Sequence, residues 1–508
     1  MSINDSRLNR AFKSSVTSAL YQIIVILCGF ITSKLIIKTF GSSWNGIISS
    51  VTRYLSLFTI IEAGINGSTR VALYKSLANK DDQKTSSIIR ANDIFYHKVS
   101  IFLVFYVIAI AVILPFIVNS DKEKILISIM VLIIGFGSFA ENCWGINSKI
   151  LLMASQRRYI INIAQTIAVI ANTIILILIV HLGGNIFFSK AGSSVINTIV
   201  PVALFIISRR MFKIDKHVKP DNSALKGRWD VIANSVSNIV HENVDVVFIS
   251  ILCASTEVSV YHIYYVVAGG LTKVFQVIIN GIEAGFGNMW TRGEMNVLKK
   301  NLRQFEYIMY TLSVLLFGCM IVLIVPFMGV YLKNITDVNY QRYSLGLCIG
   351  IAQILMSVRT PYVLLVQAAG HYKQVKIGAF IEAGINIVLT FFLVFKLGIV
   401  GAIIGTIVAN AFRSIQYGWY VSKKMINRDF KEIVFRLIWL SSCLIITVPA
   451  SNYLLRFINI DNWLSLIIGS VIVFAVHCIV LTIASLLFYR NDFTGCFSIF
   501  KRLKHNKV

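Results

Sequence analysis

Val99–Val118 reads VSIFLVFYVIAIAVILPFIV, twenty residues without one charged side chain. At about 1.5 Å per residue such a helix covers the ~30 Å hydrocarbon core of a bilayer. Its apolar residues leave no polar face, so the segment belongs in lipid or deep inside a large core. Runs of the same kind recur along the chain, at roughly 15–39, 45–68, 95–119, 125–152, 160–181, 188–208, 231–253, 258–289, 304–332, 342–368, 375–395, 398–420, 434–455 and 463–488. The expected fold class is therefore an all-α integral membrane protein of about fourteen transmembrane helices. A transmembrane β-barrel would show short alternating segments instead.

Composition agrees with this reading. Of 508 residues 56% are hydrophobic and only 14% charged, with a mean hydropathy of +0.74. The net charge of +25 does not form one patch, as a nucleic-acid binder would require, but is spread over the connections between apolar runs. Assigned to alternate sides of the membrane, about 35 of the 48 Lys and Arg residues fall on the side of both termini, about 8 on the other and about 5 inside spans. The positive-inside rule then places both termini in the cytoplasm, and a bacterial inner-membrane location is expected. The basic Met1–Ser15 segment leads into an apolar run too long for a signal peptide's core, which reads as an uncleaved first helix. Seven of the eight cysteines (Cys28, Cys143, Cys253, Cys319, Cys348, Cys443, Cys478) sit in apolar runs, and no CxxC pair suggests zinc or a disulfide framework.

The longest connection is the basic stretch Arg209–Trp229, with Lys213, Lys216, Lys219, Lys226 and Arg228 around Pro220. It is expected to join an N-terminal bundle of helices 1–6 (1–208) to a C-terminal bundle of helices 7–12 (231–421), with helices 13–14 and a basic tail in 422–508. Weak internal repeats support the division: IEAG at Ile61–Gly64 and Ile282–Gly285, Leu114-Pro115-Phe116 and Val325-Pro326-Phe327, and His181-Leu182-Gly183 and Lys396-Leu397-Gly398. IEAG occurs a third time at Ile381–Gly384. Parallel repeats of six helices place a substrate path between halves in other transporters.

Polar residues inside spans carry the functional signal, because a charge at the bilayer centre costs about 3 kcal/mol on insertion scales. Several share one helical face. Asn234, Asn238, His241 and Asp245 do so in the seventh span with Glu242 beside them, and Lys273, Gln276, Asn280 and Glu283 in the eighth. Thr52, Ser56, Thr59, Glu62, Asn66 and Arg70 form a stripe in the second with Arg53 about 100° away, and Thr406, Asn410, Arg413 and Tyr417 another in the twelfth. Stripes this long suit a polar cavity, whereas single residues such as Glu141 and Glu382 suit interhelical pairing. No GxxxxGK[ST] or HExxH motif is present, so neither nucleotide hydrolysis nor zinc chemistry is indicated. No long non-cytoplasmic loop offers room for an enzyme's active site.

Several segments together resemble the polysaccharide transporter, or Wzx-type O-antigen flippase, family, part of the superfamily that includes MATE exporters and the lipid II flippase. They are LIIKTFGSSWNGIISS (Leu35–Ser50), LFTIIEAGINGSTRVALYKSLANKD (Leu57–Asp81), VDVVFIS (Val244–Ser250), VSVYHIYY (Val258–Tyr265), LLVQAAGHYKQ (Leu364–Gln374) and FKLGIVGAIIGTIVANAFR (Phe395–Arg413). The resemblance runs from about Leu8 to about Tyr420 and implies two pseudo-symmetric six-helix lobes around a cavity that opens to each side in turn. It implies a flippase, not an enzyme, moving an oligosaccharide on undecaprenyl pyrophosphate (an O-antigen or capsule repeat unit of lipopolysaccharide-type biosynthesis) from the cytoplasmic to the periplasmic leaflet. Lys34, Arg53, Arg70, Lys273 and Arg413 are the bases that match for the pyrophosphate, and Gln276 and Asn280 join them as substrate-binding candidates. Guanidinium and ammonium groups suit a diphosphate because each supplies several charge-assisted donors. Glu62, His241, Glu242, Asp245 and Glu283 are candidates for coupling to H+ or Na+; no cofactor or metal is implied. The implied partners are the lipid-linked oligosaccharide, membrane lipids and a polysaccharide polymerase with its chain-length regulator, with no nucleic acid. The in-span acids leave open a MATE-like exporter of organic cations, and a membrane polymerase or ligase stands behind it.

Overall fold

The computed structural model describes residues 3–59, 69–70, 72–74, 76–215, 217–221 and 228–495. Fourteen long helices lie in chain order among them: α1 Ile3–Phe40, α2 Ser42–Ser56, α3 Asp82–Ile117, α4 Lys124–Ala154, α5 Arg158–His181, α6 Ile186–Met211 and α7 Arg228–Leu252. They continue as α8 Ser255–Thr291, α9 Met295–Tyr331, α10 Tyr343–Ala368, α11 Tyr372–Leu397, α12 Ile399–Met425, α13 Lys431–Leu455 and α14 Trp463–Phe488. Eleven of these are long and apolar enough to cross a bilayer. The others are α2, α7 and α8, three of the helices whose sequences carry polar stripes. No strand occurs among the described residues.

Helix ends follow local chemistry. Asp81, Asn185 and Asn462 cap α3, α6 and α14, each side chain accepting a backbone N–H of the first turn. Gly41 (φ 89°) and Gly398 (φ 56°) make the sharp α1–α2 and α11–α12 reversals in a region that L side chains avoid. Along α3, Leu103, Val107, Ala111 and Leu114 are buried, whereas Phe105, Ile108, Val112 and Phe116 are 50–71% exposed. Both faces of this helix are apolar, and only a lipid surround accounts for the outer one.

By compactness the chain divides into Met1–His262 and Ile263–Val508. This cut lies within α8, because α7 and the first turns of α8 pack on α2. The contact uses small polar residues. Asn45 donates to Ser259 (2.7 Å), Ser56 to Asn243 (2.6 Å), and the Ser43 and Ser255 hydroxyls lie 2.8 Å apart. Gly46 makes this approach possible, since a Cβ there would stand 1.7 Å from the Ser255 carbonyl oxygen. Interhelical hydrogen bonds in bilayers average only ~0.6 kcal/mol each, so the contact depends on several together with close backbone packing.

In the second unit α9 packs on α10, α10 on α12 and α12 on α11, and α13 and α14 attach to α9. Ion pairs fasten that attachment. Fully buried Glu306 of α9 receives Arg428 at 2.7 Å and Arg436 at 3.2 Å, and Asp492 receives Arg436 and Arg303, both at 3.0 Å.

Candidate functional site

The first unit encloses a polar chamber, and the sequence builds it from faces at helical spacing. On α2, Asn45, Ser49, Thr52 and Ser56 follow i, i+4, i+7, i+11 and turn one edge to it. On α6 Lys190, Ser193, Asn197 and Pro201 follow i, i+3, i+7, i+11, and α5 contributes Gln165 and Asn172. One compartment, of about 580 Å³, lies among α1, α2, α5, α6 and the start of α8, and includes Arg53, Lys190 and His262 in its wall. A second, of about 530 Å³, extends toward α4 and includes Glu141 and Lys149. Thr52, Asn172, Lys190, Ser193 and Asn197 border both, so the two are halves of one chamber.

Charge is distributed unevenly between them. Among the described residues Arg53 and Lys190 are the only Lys, Arg, Asp or Glu side chains in the wall of the first compartment. Among the described residues neither base makes an ion pair. An unpaired cation at membrane depth is costly unless water or a ligand solvates it. In the second compartment Glu141 and Lys149 neutralise each other at 2.7 Å. The remaining described surface mixes apolar side chains such as Ile48, Leu55, Phe58 and Val169 with the amides and hydroxyls of Thr52, Gln165, Asn172, Ser193 and Asn197. Asn172 donates to Asn197 at 3.3 Å, while its own buried carbonyl oxygen has no partner among the described residues.

The positions expected from sequence scatter. Arg53 lines the chamber. Lys34, half-buried on α1, does not appear in its wall, and Arg70 is exposed. Asp245 on α7 is buried and accepts a hydrogen bond from Tyr261 (2.7 Å), whereas Glu242 beside it is exposed. In the second unit Lys273 is half-buried on α8. Arg413 is buried in the interior, paired with Glu382 at 3.3 Å, donating to the Val375 carbonyl at 2.9 Å, and stacked on Tyr417. Arg359 binds the other oxygen of Glu382, so this carboxylate is an interior hub joining α10, α11 and α12. Glu62 lies outside the described residues, as do the side chains of His241, Gln276, Asn280 and Glu283.

Lys190 is the residue that reading by stripes passed over. Its signal was the one used for α2: a lone base in an apolar run with Ser193 and Asn197 following on the same face. Glu141, expected to pair structurally, does pair, but on the chamber wall. The segment Glu141–Gly145 is a π-helical turn, a feature frequent at functional sites, and no composition rule announces it.

No family model matches the sequence, and no curated protein sequence matches it. Solved structures do. The lipid II flippase MurJ in its inward closed conformation superposes with a TM-score of 0.68 at 17% identity, covering 94% of this chain and 99% of that one. An inward-facing multidrug resistance MATE transporter of the MOP superfamily gives 0.64 at 10% identity, over 84% and 99% of the two chains. A eukaryotic MATE transporter gives 0.55 at 14% identity, over 84% and 98%. The chain therefore has the MurJ/MATE-like fold, the fold class expected from its sequence.

Proposed function

We propose that this protein is a flippase that moves an oligosaccharide on undecaprenyl pyrophosphate from the cytoplasmic leaflet to the opposite one by alternating access. The observation that carries this reading is the compartment whose described wall holds Arg53 and Lys190 and no acid. A diphosphate diester presents two ionised oxygens, and two unpaired bases on facing helices give it charge-assisted hydrogen bonds. In the adjoining compartment the amides and hydroxyls that interrupt an apolar wall give the saccharide hydrogen-bond partners, and the lipid remains in the membrane. An exporter of organic cations needs the opposite electrostatics, an accessible carboxylate without a cationic partner. The one described acid in the chamber wall, Glu141, is held by Lys149.

The fold supports the reading as well, since MurJ is named for flipping a lipid-linked substrate. Coupling to H+ or Na+, and association with a polysaccharide polymerase and its chain-length regulator, are further parts of the proposal. Deleting the gene should leave lipid-linked repeat units accumulated on the cytoplasmic side and remove the surface glycan. An Arg53→Ala/Lys190→Ala double variant present at normal level in the membrane should fail to restore export. Normal glycan and normal lipid intermediates after deletion, with increased sensitivity to cationic drugs, would replace the proposal with the exporter reading.

A further inference from the structure

The Glu141–Lys149 pair bears on what the saccharide can be. The two residues lie eight apart on α4, about 12 Å along a regular helix axis, yet their charged atoms are 2.7 Å apart. Two features permit this. The helix widens into the π turn Glu141–Gly145, and Gly145 leaves its flank empty. A Cβ at position 145 would stand 2.7 Å from the Glu141 carboxylate carbon. The carboxylate thus folds over the glycine toward Lys149, and both side chains remain partly open to the chamber, at 30% and 21% exposure.

The pair adds no net charge to the described wall of the chamber. Among the described wall residues the lysines and arginines are Arg53, Lys149 and Lys190, His262 is the one histidine, in the first compartment, and the single acid is Glu141. Lys149 is already matched, which leaves Arg53 and Lys190 as the unpaired arginine and lysine among these residues, and a diphosphate diester has two negative charges. In the second compartment a carboxylate on the sugar would find no described lysine or arginine left unmatched once the diphosphate is bound, and would face Glu141 among uncharged polar and apolar groups. Resting on the flippase reading, we infer that the chamber selects a lipid diphosphate carrying an uncharged saccharide. In this arrangement the Glu141–Lys149 pair is both a hydrogen-bonding surface for sugar hydroxyls and the element that rejects acidic sugars.

Binding to the full-length protein in nanodiscs tests this with two short-chain prenyl diphosphate saccharides that differ only in one sugar, a hexose or the corresponding hexuronic acid. The wild type should bind the neutral compound about tenfold more tightly, the effect of a like charge in a partly solvated cavity. Glu141→Gln keeps the hydrogen-bonding shape and releases Lys149, so the ratio should fall to about twofold or invert. Equal wild-type affinities, or an unchanged ratio in Glu141→Gln, would overturn the inference and leave the flippase reading intact. Failure of the wild type to bind either diphosphate would overturn the flippase reading itself, and this inference with it. The wild-type comparison decides the point even if the variant does not fold.

Discussion

Lys190 and Glu382 show how the same chemical problem, a charge in the membrane, has two solutions in this chain. Glu382 is only 4% exposed and its charge is consumed by Arg359 and Arg413. Lys190 borders a cavity and makes no ion pair among the described residues. The two should respond differently to mutation. Glu382→Ala strands two guanidinium groups in the interior and should destabilise the protein by about 3–5 kcal/mol, measured as a lowered midpoint of thermal unfolding in detergent. Lys190→Ala removes a group whose partner is absent until substrate binds. Its unfolding midpoint should stay near that of the wild type, while export falls ~10-fold or more with the loss of charge-assisted bonds worth ~1.5–3 kcal/mol. A strongly destabilised Lys190→Ala variant would mark the lysine as structural.

At the scale of elements, close helix contact depends on small residues, and salt bridges decide which helices stay attached. Gly46 admits the Ser255 carbonyl to the surface of α2, which brings Asn45 and Ser259 together. A cysteine pair replacing those two residues, in a background without the native cysteines, should cross-link readily, and Gly46→Leu should abolish the cross-link. Equal cross-linking in both backgrounds would show that the close approach is not needed. Glu306 has the corresponding role for α13 and α14. Its two arginines, Arg428 and Arg436, hold the α12–α13 connection and α13 to α9. In Glu306→Gln, trypsin should cut the Lys423–Lys431 segment faster than in the wild type. Resistance equal to the wild type would mean that apolar packing alone holds these helices.

For the whole molecule, the fold class was legible in the sequence. Runs such as Val99–Val118 can be solvated only by lipid, and the alternation of Lys and Arg between connections orders them across the membrane. Reporter fusions after Gly183 and after Asp121 should therefore report the non-cytoplasmic side, and fusions after Lys213 and Lys219 the cytoplasmic side. One fusion on the wrong side would break the proposed orientation. Hydrophobicity and charge placement are properties of each segment, so they survive in a linear reading. The α2 stripe was legible for the same reason, and it led to Arg53. Whether a stripe faces a cavity or a neighbouring helix depends on residues far away in sequence. Arg53 and Arg413 look alike along the chain, yet one borders open space and the other meets Glu382. The pairing of Glu141 with Lys149, the position of Lys190 on the chamber wall, and the packing of α7 with the first unit were likewise settled only by tertiary structure. Each depends on distances between side chains brought together by packing, which no local pattern encodes.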